Sequence, residues 1–213
     1  MAIIGDVVGS RKIGDRERFQ SKLQTACDHV NSTFARDLYA KLKITKGIDE
    51  VSAVLTNIEN LYKIINMISE AIHPNFMRFV TIYGSLDIAL DSKDAAKIDG
   101  VALHRATEII SNLKRTRDLV TVQIMDELID QLLNSHMNLV FFLKRAWTKR
   151  QFDVVTLYKK LGNQEEVAQK LRIIQPTVSK ILKAADYDEI FRAEQTINEV
   201  LREYQKRLRK EIV

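Results

Sequence analysis

Along the first 125 residues the apolar positions change period repeatedly, and each change predicts an element. Ala2–Val8 is a short apolar run broken only by Gly5-Asp6, the pattern of a fully buried strand. Asp15–Tyr39 repeats apolar residues at helical spacing through Phe19, Leu23, Ala26, Val30 and Phe34. Lys41–Thr45 and Val51–Thr56 predict two strands around a hairpin-like turn at Lys46-Gly47-Ile48. Ile58–Ile72 predicts an amphipathic helix closed by His73-Pro74-Asn75, and Met77–Tyr83 alternates as a strand. Ser92–Lys114 holds an acidic loop and then a helix from about Gly100, and Leu119–Met125 is the last strand.

The succession β-α-β-β-α-β-α-β predicts an α+β sheet of the ferredoxin-like type, with helices over one face. Beyond it the period stays helical. Met125–Phe142 carries Met125, Leu128, Ile129, Leu132, Leu133, Met137, Val140 and Phe141 at helical spacing. That helix either ties the front sheet to the basic helical domain or pairs with its own copy. Phe152, Val155 and Leu157 mark a helix ending at Leu161-Gly162-Asn163, and Val167, Ala168 and Leu171 mark a short second one. After Arg172-Ile173-Ile174 a third opens at Gln175 and turns Val178, Ile181 and Leu182 inward. Asp188–Ile212 places Ile190, Ile197, Leu201, Tyr204 and Leu208 at three-four spacing, a stripe suited to a two-helix seam. The expected organisation is an α+β domain over residues 1–125, a connecting helix over 126–143 and an all-α domain over 144–213.

The three helices between Trp147 and Lys183 have helix-turn-helix spacing. Ala168 is small where two short helices must approach, and Pro176 suits a first turn whose N–H has no helical partner. The outward residues of the third helix are the kinds that reach base edges and phosphates in a major groove. Thr148, Gln151, Glu166-Val167-Ala168, Leu171, Ile173 and Pro176-Thr177-Val178-Ser179-Lys180 resemble the helix-turn-helix of response regulators and sigma-like factors. Two positions depart from that pattern. Arg172 stands at a turn position often held by Gly, and Ile174 stands where Ser or Thr normally caps the last helix, removing a contact worth about 1 kcal/mol. Gln175 is the alternative cap. The expectation is a transcriptional regulator that binds double-stranded DNA. Gln175, Thr177 and Ser179 would meet bases, Lys149, Arg150, Lys180 and Lys183 would meet phosphates, and Gln164 completes the set. Such units commonly work as dimers on half-sites one helical turn apart, so a homodimer is expected.

Charge supports this picture modestly. The net charge of +5 is uneven: residues 144–210 hold 16 Lys and Arg against 9 Asp and Glu, whereas 1–143 hold 17 against 18. A basic excess around the three helices suits a polyanionic partner. With 46% hydrophobic residues, 7 Gly and 2 Pro, the chain reads as globular and helix-rich. No apolar run approaches the ~20 residues that span a bilayer, so no membrane partner is expected. The short apolar start lacks the charged lead and long apolar core of a signal peptide. Cys27 is the only cysteine, which excludes an internal disulfide framework and a cysteine-based zinc cluster, and a cytoplasmic location is expected. His29, His73, His104 and His136 are scattered, and neither G-x-S-x-G nor a Walker-type motif occurs. Zinc chemistry and classical nucleophilic hydrolysis therefore find no support.

GDVVGSR at 5–11, IDEVSAVL at 48–55, MRFVTIYGSLDIALD at 77–91 and IDGVALHRA at 98–106 resemble the bacterial SatD family. They stand in that order ahead of a helix-turn-helix, and the resemblance runs over nearly the whole chain. The front pattern is similar in turn to class III nucleotidyl cyclases and GGDEF domains. That resemblance implies a carboxylate ending the first strand and another in the central hairpin, holding magnesium at a nucleotide triphosphate. It points to Asp6 with Asp49 or Glu50 as the metal pair. Gly5 and Gly9 would admit phosphates near the backbone, Arg11 or Lys12 would help neutralise them, and Arg105 would lie near the ligand. The chain also departs from the pattern. Ile48 replaces the hairpin glycine, Val51 replaces the following aromatic, and Tyr83-Gly84-Ser85-Leu86 lacks the acidic residue expected after its glycine. The expectation is thus a degenerate front domain that dimerises the protein or senses a ligand, with no catalytic residues. The alternatives are a magnesium-dependent nucleotide-binding protein or enzyme acting through Asp6 and Asp49, and a protein–protein interaction module.

Overall fold

The structure, a computed structural model, describes residues 1–47, 49–85, 95 and 100–211. Ile48, Leu86, residues 87–91 and 98–99 of the motifs above, most of the acidic loop and Ile212 lie outside the described residues. The chain divides into two compact units. One is Met1–Asn138 together with the last helix from Ile197 onward; the other is Leu139–Thr196.

The first unit is built on β1 (Ala2–Val7), β2 (Leu38–Lys46), β3 (Glu50–Leu55), β4 (Met77–Ile82) and β5 (Val120–Gln123), in the sheet order β2-β3-β1-β4-β5. β1 runs antiparallel to β3 and β4, β2 antiparallel to β3, and β5 parallel to β4. The run AIIGDV occupies the central strand and all six of its residues are buried. Gly5 is needed there because a Cβ would fall 2.8 Å from both Met77 Sδ and Val51 Cγ2 on the flanking strands.

Helices α1 (Arg16–Thr33), α2 (Leu61–Ile72) and α3 (Val101–Leu113) cover this sheet, and α4 (Glu127–Arg145) follows β5. The Asp15 carboxylate caps α1 by accepting the Arg18 N–H at 2.9 Å, satisfying one of the donors that a helix start leaves unpaired. α1 packs against α2 and β2. α3 lays Ala102, Ala106, Ile110 and Leu113 onto Ala2, Ile4, Val80 and Ile82. Ile3, Ala53 and Phe79, which alternate with that set, are each 1% exposed. The sheet is therefore buried on both faces rather than covered on one, as the continuous apolar character of β1 requires.

Side chains meet both edges of the sheet, at one residue of β2 and along β5. At the β2 edge, Asn31 of α1 accepts the Leu42 N–H at 2.8 Å and donates to the Leu42 carbonyl at 2.9 Å. At the β5 edge, Asn134 accepts the Val122 N–H at 2.6 Å and donates back to its carbonyl at 3.0 Å. Asn138, one turn further along α4, accepts the Leu119 and Val120 N–H groups and donates to the Val120 carbonyl. Asp130, one turn earlier, accepts the Ile124 N–H at 2.8 Å. A helix thus supplies through its side chains what a neighbouring strand would supply through its backbone.

The last helix, α8 (Tyr187–Glu211), begins in the second unit and ends in the first. Gln205 accepts the buried Ile58 N–H at 2.9 Å, the Tyr204 hydroxyl donates to the Ile124 carbonyl at 2.9 Å, and Arg202 lies 3.8 Å from Glu59. These contacts group residues 197 onward with the sheet, whereas sequence periodicity placed all of 144–213 together. Among the described residues no helix is long and apolar enough to cross a membrane.

Asn138→Ala removes three hydrogen bonds at the β5 edge and one to the Asn134 carbonyl within α4, and leaves buried strand N–H groups unpaired. It is expected to destabilise the first unit by about 2 kcal/mol in urea unfolding, with faster amide exchange at Leu119 and Val120. A loss below about 0.5 kcal/mol would show that the edge is satisfied some other way.

Candidate nucleic-acid interface

In the second unit three helices follow one another closely: α5 (Lys149–Leu161), α6 (Gln164–Leu171) and α7 (Gln175–Ala184). Local chemistry sets each boundary. Thr148 and Gln151 form a reciprocal capping box at the start of α5, and Gly162 ends that helix in the left-handed conformation at φ 70°. Asn163 accepts the Glu165 and Glu166 N–H groups to start α6. Arg172 ends α6 in the left-handed region at φ 54°, the conformation that favours glycine there, and its own N–H returns to the end of the helix. Ile174 precedes α7 without a side-chain cap and is 67% exposed. Gln175 does not cap the helix in its place. Its amide donates to Gln164 Oε1 at 2.7 Å, joining the starts of α6 and α7.

Val154, Val155, Val167, Ala168, Val178 and Leu182 are buried where these helices meet. Two polar clips hold the far end of α7. Trp147 Nε1 donates to the Ala185 carbonyl at 2.9 Å in a buried bond, and Gln151 Nε2 donates to the Ala184 carbonyl at 2.7 Å. Behind them lies a buried ionic triad: Glu194 of α8 accepts from Lys144 Nζ at 2.7 Å and from Lys159 Nζ at 3.0 Å. Burial alone would raise the Glu194 pKa, but the two ammonium groups and their hydrogen bonds outweigh it and hold the carboxyl below its ordinary value.

The outer flank of α7 stays open within its unit. Gln175, Pro176, Lys180 and Lys183 are exposed, and Thr177 and Ser179 are half-buried. Lys149 and Arg150 are exposed at the start of α5, where Lys149 pairs with Asp153 at 2.6 Å, an exposed pair of little energetic weight. Gln164 is half-buried and meets Gln175. The helices therefore bring Gln164 and Gln175 together.

The front carboxylates are arranged differently. Asp6 is 7% exposed and lies 2.9 Å from Lys114 Nζ and 3.8 Å from Arg78 Nη1. Its register partner across the sheet is Glu50, not Asp49. The Asp49 carboxylate accepts instead from Ser10 Oγ at 2.9 Å, and Glu50 accepts from Thr45 Oγ1 at 3.3 Å. Gly9 adopts φ 67° and leads into a single 3₁₀ turn, Ser10–Lys12, that leaves Arg11 and Lys12 exposed. Arg105 lies near Ile82, at the end of β4 remote from Arg78 and so from Asp6. Magnesium takes converging oxygen ligands. Among the described residues no group of three or more acidic, His or Cys side chains could hold a metal ion, and the Asp6 charge is met by two cations. Asp6 and Asp49 thus each have protein partners of their own.

Sequence reasoning missed the partners of Asp6 and the Glu194 triad. Neither has a local signal, since each joins residues far apart in the chain.

The chain matches the SatD family over residues 1–201 and belongs to that family. No curated protein and no solved structure matches it.

Because the Glu194 pKa is depressed from 4.5, its stabilisation is present above that value and is lost as pH falls through the folded pKa. Trp147, the single tryptophan, reports on this unit by fluorescence. Glu194→Gln should destabilise the unit by about 3 kcal/mol at neutral pH, because it leaves the buried Lys144 and half-buried Lys159 ammonium groups facing a neutral amide. It should also flatten the loss of stability on acidification. Parallel pH profiles for the two proteins would break the link between the triad and stability.

Proposed function

We propose that this SatD-family protein binds double-stranded DNA through α5–α7 acting as a helix-turn-helix, as a homodimeric transcriptional regulator. The observation that carries this reading is the open flank of α7. Val178 and Leu182 are buried beneath it, while Gln175, Pro176, Lys180 and Lys183 remain exposed. A ten-residue helix is about 15 Å long and narrow enough for a major groove. Gln164 Nε2 and Gln175 Oε1 have no partner among the described residues, so the bonded pair offers one donor and one acceptor outward. Glutamine amides of this kind suit the paired groups on an adenine edge. Lys180, Lys183, Lys149 and Arg150 supply phosphate contacts, in a segment with 16 basic against 9 acidic residues over 144–210.

The first unit serves in this reading as the part that senses a ligand or pairs two copies. The order β2-β3-β1-β4 with antiparallel neighbours supports a ferredoxin-like reading of the sheet and, in this proposal, kinship with the cyclase type. Since the Asp6 carboxylate is already neutralised by Lys114 and Arg78, nucleotide chemistry at that place has no support from the geometry.

Fluorescence anisotropy with genomic fragments at two salt concentrations tests the proposal. Lys180→Ala and Lys183→Ala should each weaken binding to all sequences and lower the salt slope by about 1. Gln175→Ala should instead cost about 1–3 kcal/mol on the preferred site and less on unrelated DNA. No saturable binding at low salt, or binding untouched by all three substitutions, would sink the proposal.

A further inference from the structure

A second polar site lies at the opposite end of the sheet from Asp6. β4 and β5 are parallel, with α3 between them in the chain, and their carboxyl ends border one crevice. Here the crevice is a cleft of about 460 Å³, floored by Ile82 and Gln123, the last residues of the two strands. The Tyr83 N–H closes that floor by donating to the Gln123 carbonyl at 2.8 Å. Tyr83, 45% exposed, and Met125, 78% exposed, form its apolar walls. Met125 holds φ 73°, a conformation costly for a residue with a side chain, at the turn that leads into α4.

Three polar groups in this cleft are incompletely matched. Gln123 Oε1 is buried without a hydrogen-bond donor. The Arg105 guanidinium has no hydrogen bond or ion pair among the described residues. Asp130 uses Oδ1 for the Ile124 N–H, which leaves Oδ2 open, and burial raises its pKa. Asn134, by contrast, is fully engaged on Val122 and forms a fixed wall, and Glu127 accepts from Gln131 at 3.3 Å. One guanidinium set against two carboxylates disfavours a phosphate dianion, and the guanidinium disfavours a simple polycation. A molecule that carries both charges meets both demands.

We infer that this cleft binds a small zwitterion, an amino acid or a dipeptide, with Arg105 taking its carboxylate and Asp130 and Gln123 Oε1 accepting from its ammonium group. The inference gives chemical content to the ligand-sensing part of the function proposed above and rests on that reading only for its regulatory meaning. Its test contains no DNA, so its failure leaves the DNA-binding reading where it stands.

The full chain is titrated calorimetrically with each standard amino acid and its glycyl dipeptide, with AMP and spermidine as anionic and cationic comparison probes. At least one zwitterion should bind saturably, and its Kd should weaken about tenfold or more in Arg105→Gln and in Asp130→Asn. Asn at 130 keeps an oxygen for the Ile124 N–H, so an unchanged ligand-free Tm separates lost binding from lost folding. No zwitterion binding up to millimolar concentration, or binding indifferent to both substitutions, overturns the site. Binding of AMP or spermidine alone overturns the ligand class.

Discussion

The front sheet depends on how its two outer strands are satisfied. An open sheet presents unpaired N–H and C=O groups along each edge, and leaving them dry and unmatched would cost more than most single contacts return. In this protein Asn31 answers Leu42 on one edge, and Asp130, Asn134 and Asn138 answer Leu119 through Ile124 on the other. The spacing of four residues keeps the second set on one face of α4, so a single helix is held along the whole of β5. The chain passes between its two units only inside α4 and α8, so the helix that finishes the sheet also begins the second unit.

The second unit solves a different problem, the support of a short helix whose outer side is exposed. Apolar packing alone fixes α7 through few residues, chiefly Val178 and Leu182. Trp147 and Gln151 add direct holds on the carbonyls that end it. The buried Lys144–Glu194–Lys159 cluster joins α4, α5 and α8 behind this arrangement. Such a cluster is weak evidence for stability in itself, but its removal in part is strongly destabilising because the remaining charges have nowhere to go. It therefore acts as a condition on the packing of that unit.

The carboxylate that most resembles a cyclase ligand has been given a structural environment. Asp6 sits at the end of the central strand, as the resemblance implies, but Lys114 from the end of α3 and Arg78 from β4 occupy its surroundings. A carboxylate so compensated gains little from a divalent ion that would have to displace its partners. The Asp49 carboxylate accepts from Ser10 Oγ. Among the described residues Gln123 Oε1, buried without a donor, lies instead at the other end of the sheet, in the cleft that Arg105 and Asp130 also line.

The sequence by itself determined the succession of strands and helices, the mixed α and β character, the family and the basic bias of the second half. These are legible because burial imposes a period of two or of about three and a half on apolar residues, and because caps such as Asp15, Thr148 and Asn163 act on their own neighbours. Gly162 marked a helix end for the same local reason. Only the tertiary structure decided that Asp6 meets Lys114, that Asn134 and Asn138 serve a strand edge, that Gln175 turns to Gln164, and that α8 returns its second half to the sheet. Each of these joins polar groups whose meeting depends on strand register and on the packing of distant elements. A hydrophobic period reports which side of an element is buried. It carries no information about which polar atom will lie opposite once the chain has closed.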